Sequence, residues 1–387
     1  MSYADIIKKR QKEWNCPDMV NNIYKVHGAR IPFSSPLMNW FTYGGIPRNK
    51  VTEFHGDFGS GKSTTALDVC NNAVNVFCKE YDEELARLQE EASNGSKTAS
   101  MELDELRENG VRKVVYLDIE HSFDVTWAKT LSVDLDHVDV IQPPDVPAED
   151  ILQMVREIVE SGEVGLIVLD SIPALIPQKV LEKKIGEKTV AALAGLLDTF
   201  YKLIIPLLTR YRCTMIMINQ IRENFDNPYV VKTPGGSAPR FYSSLRLLFR
   251  KGKPVDFLGN ELPQNTENPA GCIISAQITK QKTAPNDRKA GTYFLMFQSG
   301  IRPDYDYANL AIKNYGIIKK AGAWFTLCDP ETGEIIDDPH TEKPVKLNGL
   351  GKVYEYLQAN EKYYKKLVDY IDGDIKKSGG DDGEQTD

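Results

Sequence analysis

The sequence predicts an α/β protein with a mostly parallel central sheet, an antiparallel extension of that sheet, a short N-terminal helical segment and a small α+β C-terminal domain. Short apolar runs of strand composition alternate with helical periodicity up to about residue 218, and consecutive strand-like runs then follow to residue 297. Strands that alternate with helices favour parallel pairing, whereas consecutive strands favour antiparallel pairing. After about residue 301 the chain becomes rich in Lys and Tyr, which indicates a separate, smaller unit.

The predicted elements follow from the period of the apolar residues. Strand-like runs lie at residues 51–54, 114–119, 138–141, 166–169, 214–218, 245–249, 273–278 and 293–297. Helical spacing covers residues 62–77, 148–160 and 191–211. Residues 79–112 are highly charged and too long for a usual α/β connection, so we expect an inserted surface excursion, with two helices.

These elements divide the chain into parts. Residues 1–30 form an N-terminal segment, residues 31–300 the core and residues 301–377 the small C-terminal domain. Residues 378–387 are Gly-rich and acidic and contain no apolar side chain, so we expect a disordered tail.

The composition is ordinary for a soluble globular chain, with 41% hydrophobic and 26% charged residues among 387. We find no run of about 20 uninterrupted apolar residues and no apolar signal core near the N-terminus, so we expect a cytoplasmic protein without a membrane partner. The six cysteines are scattered without C-x-x-C spacing, which favours reduced thiols over disulfides or a metal site. The net charge of −8 argues against a simple DNA-binding protein, so any contacts with nucleic acid have to be local.

The clearest motif is a phosphate-binding loop that follows the strand at residues 51–54 and opens a helix. Its residues fit G-x-x-x-x-G-K-[ST] and are Gly56, Asp57, Phe58, Gly59, Ser60, Gly61, Lys62 and Ser63, with Thr64 next in the helix. Glycines let backbone N–H groups converge on phosphates at the helix N-terminus. Lys62 would neutralise the β- and γ-phosphates and Ser63 would ligate Mg²⁺, which predicts ATP and Mg²⁺ as cofactors. A plain glycine-rich helix cap is the alternative, and the strand–loop–helix context disfavours it.

Two further strands end in carboxylates. Residues 164–170 form an apolar run that ends at Asp170, which would hold Mg²⁺ from the side opposite Ser63. An isolated Asp in this position usually caps a turn, but the upstream loop favours the metal interpretation. Glu120 ends a second apolar strand and would orient or deprotonate the attacking water. Asp118 competes for this role, because alternation along a strand puts both on one face.

Several segments resemble the bacterial RecA family, in the same order along the chain. They are VVYLDIEHSFD at 114–124, IVLDSIPAL at 167–175, IMINQIR at 216–222, GGSAPRFYSSLR at 235–246 and AGAWF at 321–325. The resemblance covers about residues 31–372. It implies a RecA-like P-loop ATPase core, with residues 1–30 serving in oligomerisation. It also implies a DNA-dependent ATPase that forms helical filaments on single-stranded DNA and drives strand exchange with homologous duplex DNA, in contact with single-strand-binding and loader proteins.

The resemblance assigns roles around the nucleotide. It selects Glu120 over Asp118 as the catalytic carboxylate and makes Gln220 the sensor of the γ-phosphate. Lys280 and Lys282 match lysines that reach the ATP of the neighbouring subunit. The positions that match adenine contacts are Asp124 and Trp127, with Tyr305 as a candidate for the other face of the base.

The resemblance also implies two DNA-binding loops, at residues 182–190 and 221–241. The side chains and glycines expected to serve the DNA are Lys183, Lys184, Lys188, Val190, Arg222, Lys232, Gly235, Gly236, Arg240 and Phe241. The basic members would supply the local positive charge that the net charge conceals. The acidic tail would compete with DNA for this surface, and Mg²⁺ would relieve that competition.

Three departures from the family pattern stand out: the charged insertion, the two loops (a shorter second loop and Val190 in the first), and an N-terminal segment that matches the family poorly. A divergent recombinase, of bacterial or phage origin, would account for them. Other classes remain as alternatives. A hexameric helicase or branch-migration ATPase would need partner domains that the sequence does not display, and a non-enzymatic mediator would not need Lys62, Glu120, Asp170 and Gln220. A small-molecule kinase would leave the two loops unexplained.

Overall fold

The structure is a computed structural model that describes residues 2–14, 30–184, 191–221, 233–338 and 341–379. Its helices are α1 (Tyr3–Glu13), α2 (Pro36–Thr42), α3 (Lys62–Ser93), α4 (Lys97–Asn109), α5 (Val125–Thr130), α6 (Ala148–Ser161), α7 (Gln178–Leu181), α8 (Ala192–Arg210), α9 (Ala238–Tyr242), α10 (Pro303–Lys313), α11 (Leu350–Ala359) and α12 (Glu361–Gly379). Its strands are β1 (Arg30–Ile31), β2 (Ile46–Pro47), β3 (Val51–Gly56), β4 (Lys113–Asp118), β5 (Val138–Ile141), β6 (Val164–Asp170), β7 (Thr214–Gln220), β8 (Leu245–Val255), β9 (Gly271–Gln281), β10 (Ala290–Met296), β11 (Gly300–Ile301), β12 (Ile318–Ala321), β13 (Trp324–Leu327), β14 (Asp337–Asp338), β15 (Lys343–Pro344) and β16 (Lys346–Asn348).

A nine-stranded sheet with the order β11-β10-β9-β8-β3-β7-β6-β4-β5 forms the centre of the molecule. The six strands from β8 to β5 in this order pair in parallel, and β9, β10 and β11 continue the sheet with antiparallel pairing. The predicted fold class, a mostly parallel sheet with an antiparallel extension, is therefore confirmed.

Helices cover both faces of the parallel strands, which explains why these strands are continuous apolar runs. On one face α3 packs against the sheet through residues such as Val69, Ala73 and Phe77. On the other face α6 and α8 bury residues such as Val155 and Ile204. The sheet is thus fixed between two apolar layers, and the carboxyl ends of its central strands form one edge.

The charged insertion is a helical hairpin. Its first helix is not a separate element, because α3 continues without a break from the phosphate loop to Ser93, and α4 then returns alongside it. Leu88, Ala99 and Leu103 form a small apolar cluster of their own between the two helices. The hairpin therefore has its own core, distinct from the layers on the main sheet.

Helix α8 is strongly apolar, but Asp198 and Lys202 interrupt it, so the expectation that no uninterrupted apolar run of about 20 residues occurs still holds. Among the described residues it alone is long and apolar enough to cross a membrane, with a mean hydropathy of 1.4. In the fold, however, Leu197, Tyr201 and Leu208 of this helix are buried against the sheet. Only 28% of the apolar stretch is buried in this way, and Leu203 is 50% exposed.

The C-terminal unit combines α10, α11 and α12 with the three-stranded sheet β12-β13-β16. Its core includes Leu310, Ile318 and Leu367, and it joins the antiparallel end of the large sheet through Phe294. The last helix extends to Gly379, and Ser378 accepts a hydrogen bond from Arg288. Residues 378 and 379, assigned to the tail from the sequence, belong to this helix, and residues 380–387 lie outside the described part.

Candidate nucleotide-binding site and its neighbouring loops

The phosphate loop lies where its sequence predicted, between β3 and α3. Gly56 has to be glycine, because a Cβ there would lie 2.2 Å from the carbonyl oxygen of Phe249 on the adjacent strand. Gly61 precedes α3 with a φ of 83°, a left-handed conformation that glycine adopts easily. The N-terminus of a long helix thus points into the loop, as an anion site requires.

Lys62 is buried against its own loop. Its Nζ donates to the carbonyl oxygens of Gly56 at 3.1 Å and Asp57 at 2.7 Å. Burial lowers the pKa of Lys62, while the nearby carboxylates of Asp170, Asp57 and Glu120 raise it. An ammonium group is therefore held among carboxylates at the point where phosphates would enter.

The residues of the expected magnesium site are in contact. The Ser63 hydroxyl donates to the Asp170 carboxylate, and the Tyr116 hydroxyl donates to Asp170 Oδ2. Burial raises the pKa of Asp170, and these two hydrogen bonds lower it. Hydroxyl and carboxylate oxygens suit Mg²⁺, which usually binds through one or two protein groups, waters and substrate phosphates. No group of three or more Asp, Glu, His or Cys residues suited to a metal occurs in the described ranges.

Asp118 and Glu120 have different surroundings. Strand β4 ends at Asp118, which is 1% exposed and accepts from the N–H groups of Ser122 and Phe123 and from Gln142 Nε2. Its two oxygens are committed to holding the following turn. Glu120 lies beyond the strand and is exposed, so the two carboxylates do not share a strand face as alternation had suggested.

Glu120 links the ends of three strands. Its Oε1 accepts from the hydroxyl of Ser171, which follows β6, and from Nε2 of Gln220 at 3.3 Å. Gln220 is the last residue of β7 and adjoins the second predicted loop. Sequence reasoning missed Ser171 and Tyr116, although both stand in the quoted motifs beside Asp170 and at the centre of β4.

Trp127 and Asp124 lie beside the phosphate loop. Asp124 caps α5 by accepting from the N–H of Trp127, and Trp127 Nε1 donates to Thr64 Oγ1 at 3.3 Å. The partly buried indole thus adjoins the first turn of α3.

The expectation for Tyr305 is wrong. Its ring is 2% exposed, lies 4.1 Å from the ring centroid of Tyr354 and meets Phe294 edge to face, and its hydroxyl donates to the carbonyl oxygen of Phe257. The side chain belongs to the core of the C-terminal unit and offers no face to a base.

Lys280 and Lys282 point to the same place, as spacing of two predicts. Lys280 Nζ donates to the carbonyl oxygens of Arg240 at 2.6 Å and Phe241 at 2.7 Å, and Lys282 Nζ reaches the latter at 3.4 Å. Both therefore complement the carboxyl end of α9. Burial, followed by the charge of Lys282, lowers the pKa of Lys280 to about 8. The Phe241 ring is 61% exposed, with the Arg240 guanidinium 5.4 Å from its centroid.

The two predicted loops are described in part. Lys183 and Lys184 follow α7 and are exposed. Gly235 and Gly236 have left-handed φ values of 87° and 72°. The other residues assigned to the loops, Lys188, Val190, Arg222 and Lys232, lie outside the described ranges.

The fold and the site define a P-loop nucleotide-binding protein with a RecA-like α/β core. Residues 87–302 match the model of the RecA N-terminal domain. The chain is 30% identical to Protein RecA of Thermus aquaticus over 350 residues, which cover 88% of this chain and 85% of the relative. It is 29% identical to Protein RecA of Aquifex aeolicus over 366 residues, 93% of this chain and 87% of the relative. The chain belongs to the RecA family.

Proposed function

We propose that this chain is a DNA-dependent ATPase that forms helical filaments on single-stranded DNA and catalyses pairing and strand exchange with homologous duplex DNA in the cytoplasm. The observation that carries the proposal is the bond between Gln220 and Glu120. It joins a candidate catalytic carboxylate to the residue from which the second loop departs, so one contact relates nucleotide and DNA sites.

In the proposed reaction ATP lies on the phosphate loop. Lys62 would turn from the Gly56 and Asp57 carbonyls to the β- and γ-phosphates. Ser63 and Asp170 would hold Mg²⁺, which supplies neutralisation of phosphate charge when bound. Glu120 orients the attacking water and accepts its proton. Trp127 and Asp124 would contact the base, and the hydrogen bond from Trp127 to Thr64 in the first turn of α3 supports this.

The positions of Lys280 and Lys282 favour action on a neighbouring subunit. Lys280 on β9 pairs with Arg246 on β8, and Arg246 pairs with Glu53 on β3. Glu53 is three residues before Gly56 in the same strand. At roughly 3.3 Å per residue, this register offsets Lys280 by about 10 Å along the strands from its own phosphate loop, and Lys282 by more, towards the amino end of β3. An assembly in which one end of the sheet meets the other end of the next copy has a heterologous interface. Repeated contacts of this kind give a helical filament when they do not close into a ring.

The DNA is proposed to bind through its backbone. Lys183, Lys184 and Arg240 are exposed, and with Lys188, Arg222 and Lys232 they would supply contacts to phosphates. Val190, Gly235, Gly236 and Phe241 complete the proposed surface. Homology is then read by base pairing, so the protein needs little sequence-specific contact.

The test combines ATP hydrolysis with strand exchange between labelled oligonucleotides. We expect hydrolysis to require single-stranded DNA, and exchange to require both ATP and sequence identity. Hydrolysis with unwinding of a duplex but no exchange would favour a helicase. Binding of ATP and DNA without hydrolysis would favour a mediator.

A further inference from the structure

Glu53 is a buried carboxylate at the centre of the main sheet that the proposed reaction does not use. It lies on β3 with 0% of its surface exposed and faces Arg246 directly across the β3–β8 pair. Arg246 Nε donates to Glu53 Oε2, and Nδ2 of Asn219 donates to Oε1 at 2.9 Å. A buried carboxylate is costly unless paired and hydrogen-bonded, and here both oxygens have partners.

The side-chain amide of Asn219 makes three hydrogen bonds. Besides the bond to Glu53, Nδ2 donates to the carbonyl oxygen of Pro234 at 3.1 Å. Oδ1 accepts from the backbone N–H of Gln220 at 3.0 Å. Since the amide offers two N–H donors, both are engaged, and Asn219 is fully buried. Its orientation is therefore fixed by the sheet.

These bonds close the base of the second loop. Gln220 stands at the start of the loop and Pro234 near its other end, so the Asn219 amide holds both ends together. The start is also tied to the phosphate loop, because the N–H of Ile221 donates to the carbonyl oxygen of Gly56 at 3.3 Å. The far end is pressed against α8, where a Cβ on Gly235 would lie 2.5 Å from Leu197 Cδ1.

We propose that Asn219 is a positioning residue that couples the nucleotide site to the second loop, with Glu53 and Arg246 fixing its orientation. The backbone N–H of Gln220 and the carbonyl oxygen of Pro234 are both hydrogen-bonded to the side-chain amide of Asn219. A movement of Gln220 towards a γ-phosphate changes the geometry of the group that holds the far end of the loop, so the loop base moves with the nucleotide state. This inference rests on the proposed function, and it adds a residue that touches neither nucleotide nor DNA.

Asn219→Ala in the full-length protein tests the coupling. We expect ATP affinity close to that of the wild type, because the phosphate loop is intact. Stimulation of hydrolysis by single-stranded DNA should fall by about 5- to 150-fold, the range of typical couplings between sites. Hydrogen exchange of peptides covering residues 221–237 should change when a slowly hydrolysed ATP analogue is added to the wild type, and this change should be lost in the variant.

Asn72→Ala is the matched control. The Asn72 amide also makes two donor bonds, to Ser34 Oγ at 3.2 Å and Asp68 Oδ2 at 3.4 Å, but on α3 away from the loop. We expect this variant to keep both the stimulation and the exchange response. If Asn219→Ala fails to fold, Asn219→Ser keeps a hydroxyl that is too short to reach Glu53 and Pro234 together, and the same loss is expected.

Wild-type stimulation and a wild-type exchange response in a folded Asn219 variant would overturn the inference. Equal loss in Asn72→Ala would do the same, because it would indicate a general effect of removing a hydrogen-bonded amide. Absence of DNA stimulation in the wild type would instead contradict the proposed function. The nucleotide-dependent exchange of residues 221–237 then decides the coupling by itself.

Discussion

Lys62 is the residue on which nucleotide binding is expected to depend most. Its ammonium group lies on the carbonyls of Gly56 and Asp57, where phosphate oxygens would replace them. In Lys62→Ala the phosphate charge is uncompensated, so ATP binding and DNA-stimulated hydrolysis should be lost together. Titration with a fluorescent ATP analogue measures this, with Lys79→Ala on an exposed turn of the same helix as the control. Near-normal hydrolysis in Lys62→Ala would remove the loop from the mechanism.

Glu120 and Asp118 should respond differently to loss of charge. Glu120→Gln should bind ATP but hydrolyse it about 10²- to 10⁴-fold more slowly, the usual contribution of a general base. Asp118→Asn should mainly lower the melting temperature. The Asp118 carboxylate accepts hydrogen bonds from three N–H donors, and the NH₂ group of an asparagine would place a donor against one of them. Hydrolysis rates and melting curves of both variants decide this. The reverse pattern would make Asp118 the base.

The sequence could predict the site residues whose chemistry requires a local motif. The phosphate loop and Asp170 belong to this group, and the structure brings Lys62, Ser63 and Asp170 together. Strand periodicity could not choose between Glu120 and Asp118, because it does not reveal where β4 ends. The turn that Asp118 holds sets that end. Tyr305 was wrong because its burial depends on Tyr354 and Phe294, which are distant in sequence.

At the scale of elements, the hairpin of α3 and α4 should be dispensable for folding. Its cluster of Leu88, Ala99 and Leu103 is separate from the main core. Replacing residues 84–106 with a short Gly/Ser linker should leave the melting temperature and ATP binding nearly unchanged. Phe77→Ala is the comparison, because Phe77 lies on the same helix but in the main core, where such a truncation costs about 3–5 kcal/mol. Loss of the fold on removing the hairpin would contradict this division.

Element prediction succeeded where burial is continuous and failed where it is partial. Strands β4 and β6 are buried on both faces and read as apolar runs. Strands β8 and β9 are 11 residues long, about twice their predicted length, because the parts beyond the predicted runs carry exposed polar residues such as Arg250 and Thr279. The continuation of α3 beyond Phe77 was missed for the same reason, since one side faces solvent along most of its length.

At the scale of the molecule, the acidic tail is expected to weaken DNA binding. Residues 380–387 hold four acidic side chains, half of the net charge of −8. Truncation after Gly379 keeps all of α12 and should tighten duplex binding and reduce its dependence on Mg²⁺. The effect should shrink as salt rises, because exposed charges are screened.

Duplex-binding titrations at low and high salt measure the effect of the tail. A full-length variant with Asp381→Asn, Asp382→Asn, Glu384→Gln and Asp387→Asn separates charge from length and should behave like the truncation. Superimposable low-salt curves for all three proteins would show that the tail is inert.

The assembly is the central claim, and negative-stain microscopy with single-stranded DNA and a slowly hydrolysed ATP analogue tests it most directly. Lys280 and Lys282 lie away from their own phosphate loop, and in the proposed head-to-tail arrangement the next copy would complete the site. The account predicts open helical filaments that require the nucleotide and are absent for Lys62→Ala. Closed rings, or single molecules under conditions in which the nucleotide is bound, would contradict it.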